Sequence, residues 1–396
     1  MQTIRGETNR ALPRGRRRAR AAVVPSRSTA TTFGDKGSTT NTDDATLPLS
    51  RLTLGTMFFG ASIPAQDAYQ QLSYAYDHGV VAFDTAEMYP VPQSAATQGA
   101  SERVLGAWLK ANGARIKDED VHVTTKVAGP GAMTWLRGGP TRLDGENIGT
   151  AIDGSLERLG RDRIDLLLLH WPDRYVPMFG ADGYDVDLAY GAYCSFEEQL
   201  EGVERGVAAG KVGSWGLSNE TAYGLARFCE VARARGWSKP TCVQNAYNLL
   251  CRTAESSLVE ALHVEGVGLM AYSPLAMGLL GGAYTLDGAS WSGEADKRLV
   301  KYRGRYAEAE SRYGPKANVA EAVAAYVGVA REHGLAPVEL ALRFVLSHRF
   351  VGTAVVGAAS VGQLEAQIAY ARRGGLDETV LRRVDEVHRR FPNPCP

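Results

Sequence analysis

The sequence predicts an α/β fold of one kind, an eight-stranded parallel (β/α)8 barrel, or TIM barrel. The first observation behind it is repetition: from Leu47 onward, short apolar runs alternate with helical patterns eight times. The second is length, because about 350 residues remain for these units, within the range of about 200 to more than 400 that such barrels span. Such alternation indicates parallel strands joined by helices. A doubly wound open sheet is the structural alternative, but it normally stops at about five to seven strands.

The eight predicted strands are short and apolar, as expected of strands that are buried on both faces of a parallel sheet. The second one, with the run Val80 to Phe83 and an acid directly after it, has the clearest form. The predicted strands cover residues 51–57, 80–86, 121–127, 165–171, 212–218, 241–247, 268–274 and 350–357.

The predicted helices repeat apolar residues every three or four positions. They cover residues 66–78, 101–111, 148–159, 195–206, 220–235, 254–265, 337–347 and 360–371, and one further helix covers 377–390. Ser195-Phe-Glu-Glu198 has the form of a capping box, which fixes the start of its helix. Two long connections, 173–194 and 276–316, follow the fourth and seventh strands. We expect both at the C-terminal face, where such barrels carry their chemistry.

Residues 1–46 lie outside this pattern, so the expected division is an extension over 1–46 and a barrel over 47–396. The first 42 residues hold eight arginines and one lysine against two acids, and residues 26–42 hold nine serines or threonines. We expect this segment to be disordered, since it has no apolar face to bury. Its composition is that of an organelle transit peptide. A plain basic tail and a misplaced start codon are the alternatives.

Composition excludes several classes of function. Lys+Arg and Asp+Glu both number 44, so removing the basic extension leaves a mildly acidic barrel with no footprint for nucleic acid. No apolar run approaches the length of a bilayer span. The five cysteines show no C-x-x-C spacing, which favours free buried thiols over a disulfide framework or zinc site. We therefore expect no membrane contact and no bound metal.

Four ionisable residues mark the ends of three neighbouring strands. Asp84 ends the second strand and Tyr89 follows it, while Lys126 and His170 end the third and fourth strands. Single residues of these types at strand ends are usually structural, but in a barrel these ends share one mouth. A tyrosine is protonated at neutral pH and can donate to a carbonyl oxygen that gains charge, and a nearby ammonium stabilises the charge that develops. The set suits acid-assisted chemistry on a carbonyl, without a nucleophile.

In this order and setting, the four residues resemble the catalytic tetrad of the aldo-keto reductases. The resemblance runs from about Leu47 to Pro392 and rests on motifs in family order. These are Gly55-Thr-Met57, Asp84-Thr-Ala-Glu-Met-Tyr89, Thr125-Lys126, His170-Trp-Pro172, Gly216-Leu-Ser-Asn219 and Tyr272-Ser-Pro-Leu275. Ala86 to Pro92, Phe179-Gly180 and Ala322 to Tyr326 resemble the Tas-type branch of bacteria and plastid-bearing organisms.

The resemblance implies NADPH-dependent reduction of a small-molecule aldehyde or ketone to an alcohol. Tyr89 would be the general acid, Lys126 would support it, and Asp84 would hold Lys126 charged. His170 would orient the substrate oxygen. The resemblance also implies a monomer or small homo-oligomer, and with the hydroxyl-rich extension it favours a plastid (chloroplast) location over the mitochondrion or cytoplasm.

The same resemblance implies a set of cofactor-binding residues. Ser218, Asn219 and Gln244 would bond the nicotinamide amide, Tyr272 would stack on the ring, and the N-terminus of the last barrel helix would attract phosphate. The full implied set is Gly55, Thr56, Met57, Asp84, Ser218, Asn219, Gln244, Tyr272, Ser273, Pro274, Leu275, Gly278, Leu280, Gly357, Ala358, Ala359, Gln363 and Gln367. No G-x-G-x-x-G follows a strand, so a Rossmann-type site is not supported.

Three departures weaken the expected preference for NADPH. Ala283 stands where many relatives have a lysine, Gln363 where other branches have an arginine, and Ala366-Gln367 where a Glu-Asn pair usually holds the adenine.

Two other functions compete with the reductase. A non-catalytic nicotinamide-binding regulatory subunit of the same fold would keep the same tetrad, so the tetrad alone does not separate it from an enzyme. A metal-dependent barrel hydrolase would need clustered histidines at the first strand end, and the seven histidines of this chain are dispersed.

Overall fold

The structure is a computed structural model that describes residues 51–396, apart from residues 132, 182, 189–192 and 289. For residues 307–309 it describes the backbone alone. The predicted extension over residues 1–46 lies outside the described residues, and so do residues 47–50.

Eight parallel strands close into a barrel. They are β1 (Leu52–Gly55), β2 (Ala82–Asp84), β3 (His122–Val127), β4 (Ile164–Leu169), β5 (Val212–Ser218), β6 (Cys242–Ala246), β7 (Gly268–Tyr272) and β10 (Val351–Val356). Their order around the barrel is β1-β10-β7-β6-β5-β4-β3-β2. The barrel closes where Leu52 of β1 pairs with Ala354 of β10. The predicted barrel is confirmed, and each predicted strand is present. Six have narrower bounds than predicted, β5 has the predicted bounds, and β4 begins one residue earlier and ends two residues earlier.

Helices surround the barrel. They are α1 (Ala65–Asp77), α2 (Ala100–Ala111), α3 (Gly145–Leu159), α4 (Phe196–Ala208), α5 (Ala222–Arg235), α6 (Leu258–Glu265), α9 (Ala317–Glu332), α10 (Pro337–Ser347), α11 (Val361–Ala371) and α12 (Glu378–Arg390). Ser195 caps α4 as predicted, because its Oγ accepts from the amide of Glu198 at 3.1 Å. No helix among the described residues is long and apolar enough to cross a membrane.

Two of the helices differ from the sequence prediction. The helix expected over 254–265 begins only at Leu258, after a separate 3₁₀ turn over Thr253–Ser256, because Ser257 takes a non-helical backbone conformation. Helix α9 has no counterpart among the predicted helices. Its buried side chains, including Val319, Val323 and Tyr326, repeat every three or four residues, but alanines dilute the apolar pattern.

The connection over 276–316, predicted as a long loop, is largely structured. After a 3₁₀ segment over Ala276–Gly281 it contains a two-stranded hairpin and two short helices. These are β8 (Thr285–Asp287), β9 (Ser290–Ser292), α7 (Arg298–Lys301) and α8 (Ala307–Arg312). Such short elements depend on packing against the barrel mouth, which local sequence does not reveal.

A small apolar cluster fills the barrel beneath its mouth. Leu166 and Leu168 of β4 contact a group that includes Met270 of β7 and Val355 of β10. Because β4 and β10 are not neighbours in the sheet, their side chains can meet only inside the barrel. The larger core lies between the strands and the helices. All strand ends that carry predicted site residues therefore open onto one face, above an apolar floor.

Candidate active site

A buried ion pair lies at the centre of the mouth. Lys126 Nζ donates to Asp84 Oδ1 at 2.6 Å and to the main-chain oxygen of Thr85 at 2.7 Å. Gln244 Nε2 donates to the second oxygen of Asp84 at 2.7 Å. The Lys126 and Asp84 side chains are 0% and 4% exposed. Burial lowers the pKa of Lys126, while the charge of Asp84 opposes that shift.

Tyr89 and His170 complete the predicted tetrad. Lys126 Nζ lies 4.9 Å from the centre of the Tyr89 ring. The rings of Tyr89 and His170 meet edge to face, with their centres 5.6 Å apart. The structure thus brings together all four residues predicted from three strand ends.

His170 is buried beside a positive charge. Burial lowers the pKa of His170 well below its usual value, and the ammonium of Lys126 lowers it further. No described residue bonds its buried Nδ1 atom. The ring is therefore neutral at physiological pH and can act as a hydrogen-bonding group rather than as a cation.

Glu87, whose role the sequence did not suggest, holds the segment that carries Tyr89. Its buried carboxylate pairs with Arg137 and accepts from the amide of Ala128 at 2.7 Å. Its main-chain oxygen accepts from Gln98 Nε2 at 2.7 Å. Burial raises the pKa of Glu87, and Arg137 opposes the shift. Its position inside the Asp84 to Tyr89 motif was the one feature of the sequence that could have pointed to this role.

The ends of β5, β6 and β7 are joined by hydrogen bonds on the other side of the mouth. Tyr272 Oη donates to Asn219 Oδ1 at 2.7 Å, and Asn219 Nδ2 donates to the main-chain oxygen of His170 at 2.9 Å. Ser218 Oγ donates to the main-chain oxygen of Gln244 at 2.8 Å. These residues, predicted as a nicotinamide site, are thus tied to each other and to the tetrad.

One cavity of about 1300 Å³ opens at this mouth. The predicted residues that line it are Gly55, Met57, Asp84, Tyr89, His170, Ser218, Asn219, Gln244, Tyr272, Ser273, Pro274, Leu275, Gly278, Gly357, Ala359, Gln363 and Gln367. Four predicted residues are buried behind its wall: Thr56, Lys126, Leu280 and Ala358. The Thr56 hydroxyl donates to the main-chain oxygen of Asp84 at 3.0 Å, so it supports the wall.

Arg298 is a lining residue that the sequence prediction missed. Its guanidinium lies 4.6 Å from the centre of the Phe58 ring. It also lies close to Gly357, which precedes α11: a Cβ atom placed on Gly357 would be 3.2 Å from Arg298 Nη2. No carboxylate of the described residues pairs with it, and burial lowers its pKa. Within the described part of the chain, the cavity therefore holds a cation without a countercharge.

The far part of the cavity is mainly apolar and aromatic. Its wall includes Met133, Trp135, Trp171, Met178 and Phe179. These residues belong to the connections after β3 and β4, and the latter contains the predicted loop 173–194. Among the described residues, no cluster of His, Cys, Asp or Glu could hold a metal ion.

Comparisons with known proteins agree with this geometry. The model of the Aldo/keto reductase family matches residues 51–389. Protein Tas of Escherichia coli is 37% identical over 356 residues, which cover 89% of this chain and 98% of that protein. An aldo-keto reductase of Babesia bovis is 35% identical over 69% of this chain and 98% of its own length. Aflatoxin B1 aldehyde reductase member 2 of Mus musculus is 28% identical over 87% of this chain and 86% of its own length. The resemblance predicted from the strand-end motifs, including that to the Tas-type branch, is confirmed.

The lowered pKa of His170 predicts a pH dependence of stability. The folded state keeps this ring neutral, whereas the unfolded chain protonates it below about pH 6.5. Protonation of His170 in the unfolded chain therefore lowers the free energy of unfolding as the pH falls below that value, by at most about 1.4 kcal/mol per pH unit, and has no such effect at higher pH. His170→Gln should flatten the loss of stability between pH 7.5 and 5.5 in urea titrations. His263→Gln, at an exposed position of α6, is the control; equal slopes in all three proteins would contradict the assignment.

Proposed function

The chain belongs to the aldo/keto reductase family and is an NAD(P)H-dependent oxidoreductase of small-molecule carbonyls. We propose that it reduces an aldehyde or ketone to an alcohol, with NADPH as the hydride donor and Tyr89 as the general acid. The observation that carries this proposal is the position of Lys126 Nζ, 2.6 Å from Asp84 Oδ1 and 4.9 Å from the Tyr89 ring centre.

Tyr89 supplies the proton. As a carbonyl carbon gains a hydride, its oxygen becomes an alkoxide and takes the phenolic proton. The phenolate left on Tyr89 is stabilised by the ammonium of Lys126, whose charge acts strongly because both side chains are buried. Asp84 and the main-chain oxygen of Thr85 keep that ammonium in place.

His170 orients the substrate. Its neutral ring stands edge-on to Tyr89, so a carbonyl oxygen that reaches the Tyr89 hydroxyl also comes within reach of the imidazole. A neutral ring donates a hydrogen bond without competing with Tyr89 as the proton source. The apolar wall near Trp135 and Trp171 would contact the rest of the substrate.

The residues of the cavity fit a nicotinamide dinucleotide, which would supply the hydride when bound. Tyr272 offers an aromatic face at one end, with the amide groups of Asn219 and Gln244 close by. At the other end, Arg298 provides a positive charge beside Gly357, which leads into α11. A helix N-terminus and an arginine together favour the binding of a phosphate group.

Substitution of Tyr89 by phenylalanine tests the acid. We expect a loss of carbonyl reduction by roughly 10²- to 10⁴-fold, the usual contribution of a general acid, with cofactor binding retained because the ring remains. Turnover with a panel of aldehydes and ketones gives the rate, and fluorescence quenching gives the affinity. Tyr74→Phe removes a hydroxyl from α1, outside the cavity, and is the matched control.

Two results would contradict the assignment. If Tyr89→Phe kept more than about a third of the turnover with chemistry rate-limiting, Tyr89 would not be the acid. If the wild-type protein bound NADPH but reduced none of the carbonyls in the panel, a non-catalytic nicotinamide-binding subunit would become the better explanation.

Cofactor preference is a separate prediction. We expect NADPH to bind about tenfold more tightly than NADH, a difference of about 1.4 kcal/mol. Arg298→Gln should narrow that ratio, because the cation near α11 is lost, whereas Arg305→Gln, on an exposed residue of the same connection, should not. Titration of both cofactors measures the ratio. Equal affinities of the wild-type protein for NADPH and NADH would exclude the preference for NADPH. Equal weakening of both cofactors in Arg298→Gln would show that Arg298 does not contact the 2′-phosphate, the group that only NADPH carries.

Residues 1–46 are proposed to direct import into a plastid. Their excess of arginine and of hydroxyl side chains, with few acids, supports this function. Fusing residues 1–46 to a fluorescent protein tests it in plant cells, with the same residues in scrambled order as the control. A uniform cytosolic signal would exclude targeting, and a mitochondrial signal would correct the organelle.

A further inference from the structure

Arg312, the last residue of α8, is buried although it lies outside both the tetrad and the cavity wall. The residue is only 6% exposed. The guanidinium carbon lies 5.8 Å from the ring centre of Phe179 and 5.8 Å from that of Tyr272. A buried charge is costly unless bonded, so the contacts of Arg312 indicate what keeps it there.

The hydrogen bond from Arg312 to Tyr272 has a fixed direction. Arg312 Nη1 donates to Tyr272 Oη at 2.8 Å. A guanidinium can only donate, so the oxygen of Tyr272 accepts and its one hydrogen is directed to Asn219 Oδ1, at 2.7 Å. This bond leaves Asn219 Nδ2 on the side of the His170 main-chain oxygen, 2.9 Å away. The position of Arg312 thus sets the orientation of the Tyr272 hydroxyl and of the Asn219 amide.

Arg312 is itself held from behind. Its Nε donates to the main-chain oxygen of Pro396 at 3.1 Å. The next residue, Tyr313, accepts from Asn248 Nδ2 at 3.1 Å, and the same Nδ2 atom donates to the main-chain oxygen of Ser273 at 3.0 Å. The guanidinium is therefore fixed relative to the end of β7, where Tyr272 lies.

We propose that Arg312 is a positioning residue for hydride transfer, acting through the hydroxyl of Tyr272 on the Asn219 amide. This inference rests on the proposed function, in which Tyr272 and Asn219 contact the nicotinamide. Arg312 orients those two groups, while Arg298 and the start of α11 supply phosphate contacts elsewhere in the cavity. Loss of Arg312 therefore misaligns the nicotinamide more than it weakens the binding of the cofactor. Misalignment of reacting groups by about 1 Å can lower a rate about 100-fold.

A double-mutant cycle tests the path of this effect. The variants are Arg312→Gln, Tyr272→Phe and the double substitution. Oxidation of bound NADPH by an aldehyde in a single turnover gives the rate of hydride transfer, and fluorescence quenching gives the dissociation constant. Each single variant should lower the rate about 10- to 100-fold and change the dissociation constant much less. The double variant should be no slower than the slower single variant, because both remove the same path.

A matched control separates positioning from general loss of structure. Arg303 lies in the same connection as Arg312 and donates to the main-chain oxygen of Trp291, away from the cavity wall. Arg303→Gln should therefore keep the wild-type rate. The anisotropy decay of bound NADPH gives a readout that does not require turnover: local motion of the nicotinamide should increase in Arg312→Gln and Tyr272→Phe, and not in Arg303→Gln.

Several outcomes would overturn the inference. A wild-type rate in Arg312→Gln would do so, and so would rate losses that multiply in the double variant, because Arg312 would then act independently of Tyr272. If Arg312→Gln does not fold, Tyr272→Phe decides alone, since a wild-type rate there excludes any path through the hydroxyl. If none of the carbonyls tested leads the wild-type protein to oxidise NADPH, the proposed function fails, and the role of Arg312 in hydride transfer fails with it. The anisotropy comparison then still shows whether Arg312 and the Tyr272 hydroxyl restrain the bound nicotinamide; equal local motion in the wild-type protein and in Arg312→Gln would overturn that part as well.

Discussion

The ion pair between Lys126 and Asp84 is the interaction on which the rest of the site depends. Strand register explains how residues 42 positions apart form it. Asp84 of β2 pairs with Thr124 of β3, and Lys126 lies two residues further along β3. Since side chains alternate along a strand, Thr124 and Lys126 point to the same side as Asp84, into the barrel. The lysine then needs only to reach back to its partner. The pairing of β2 with β3 in this register is thus a condition for the ion pair.

The pair is not an obvious source of stability. Burying two charges costs several kcal/mol per ion, and their attraction offsets this only if the remaining bonds are satisfied. Here Gln244 and the main-chain oxygen of Thr85 supply those bonds. The apolar cluster beneath, which includes Leu168 and Met270, keeps the surroundings poorly polarisable. This arrangement makes the charge of Lys126 effective at Tyr89, and it also explains why His170 stays neutral.

The amino-acid sequence reveals what repeats and what lies at strand ends. The apolar runs of the eight strands are long enough to predict, and their ends place Asp84, Lys126 and His170 at one mouth from the strand order alone. Two of the residues that sequence patterns miss lie in the connection after β7. Arg298 and Arg312 follow no periodic pattern, and their positions depend on how β8, β9, α7 and α8 pack over the mouth. Helix α9 is missed for a different reason, because its alanine-rich apolar face gives a weak signal. Thr56 is also predicted to contact the cofactor; in the structure its hydroxyl donates to the main-chain oxygen of Asp84.

The connection after β7 carries both Arg298 and Arg312, and this changes the meaning of the departure at Ala283. The sequence lacks a lysine there, which suggests a weakened phosphate site. The structure shows a cation nearby in Arg298, which is held against Phe58 by the fold of the connection rather than by a local motif. Arg312, from the same connection, bonds Tyr272 at the opposite end. Because one folded segment supplies both groups, the proposed phosphate contact and the proposed orientation of the nicotinamide ring would both depend on the folding of this segment. A change that loosens this segment would therefore affect both ends of the cofactor together, whereas substitution of either arginine affects one end alone.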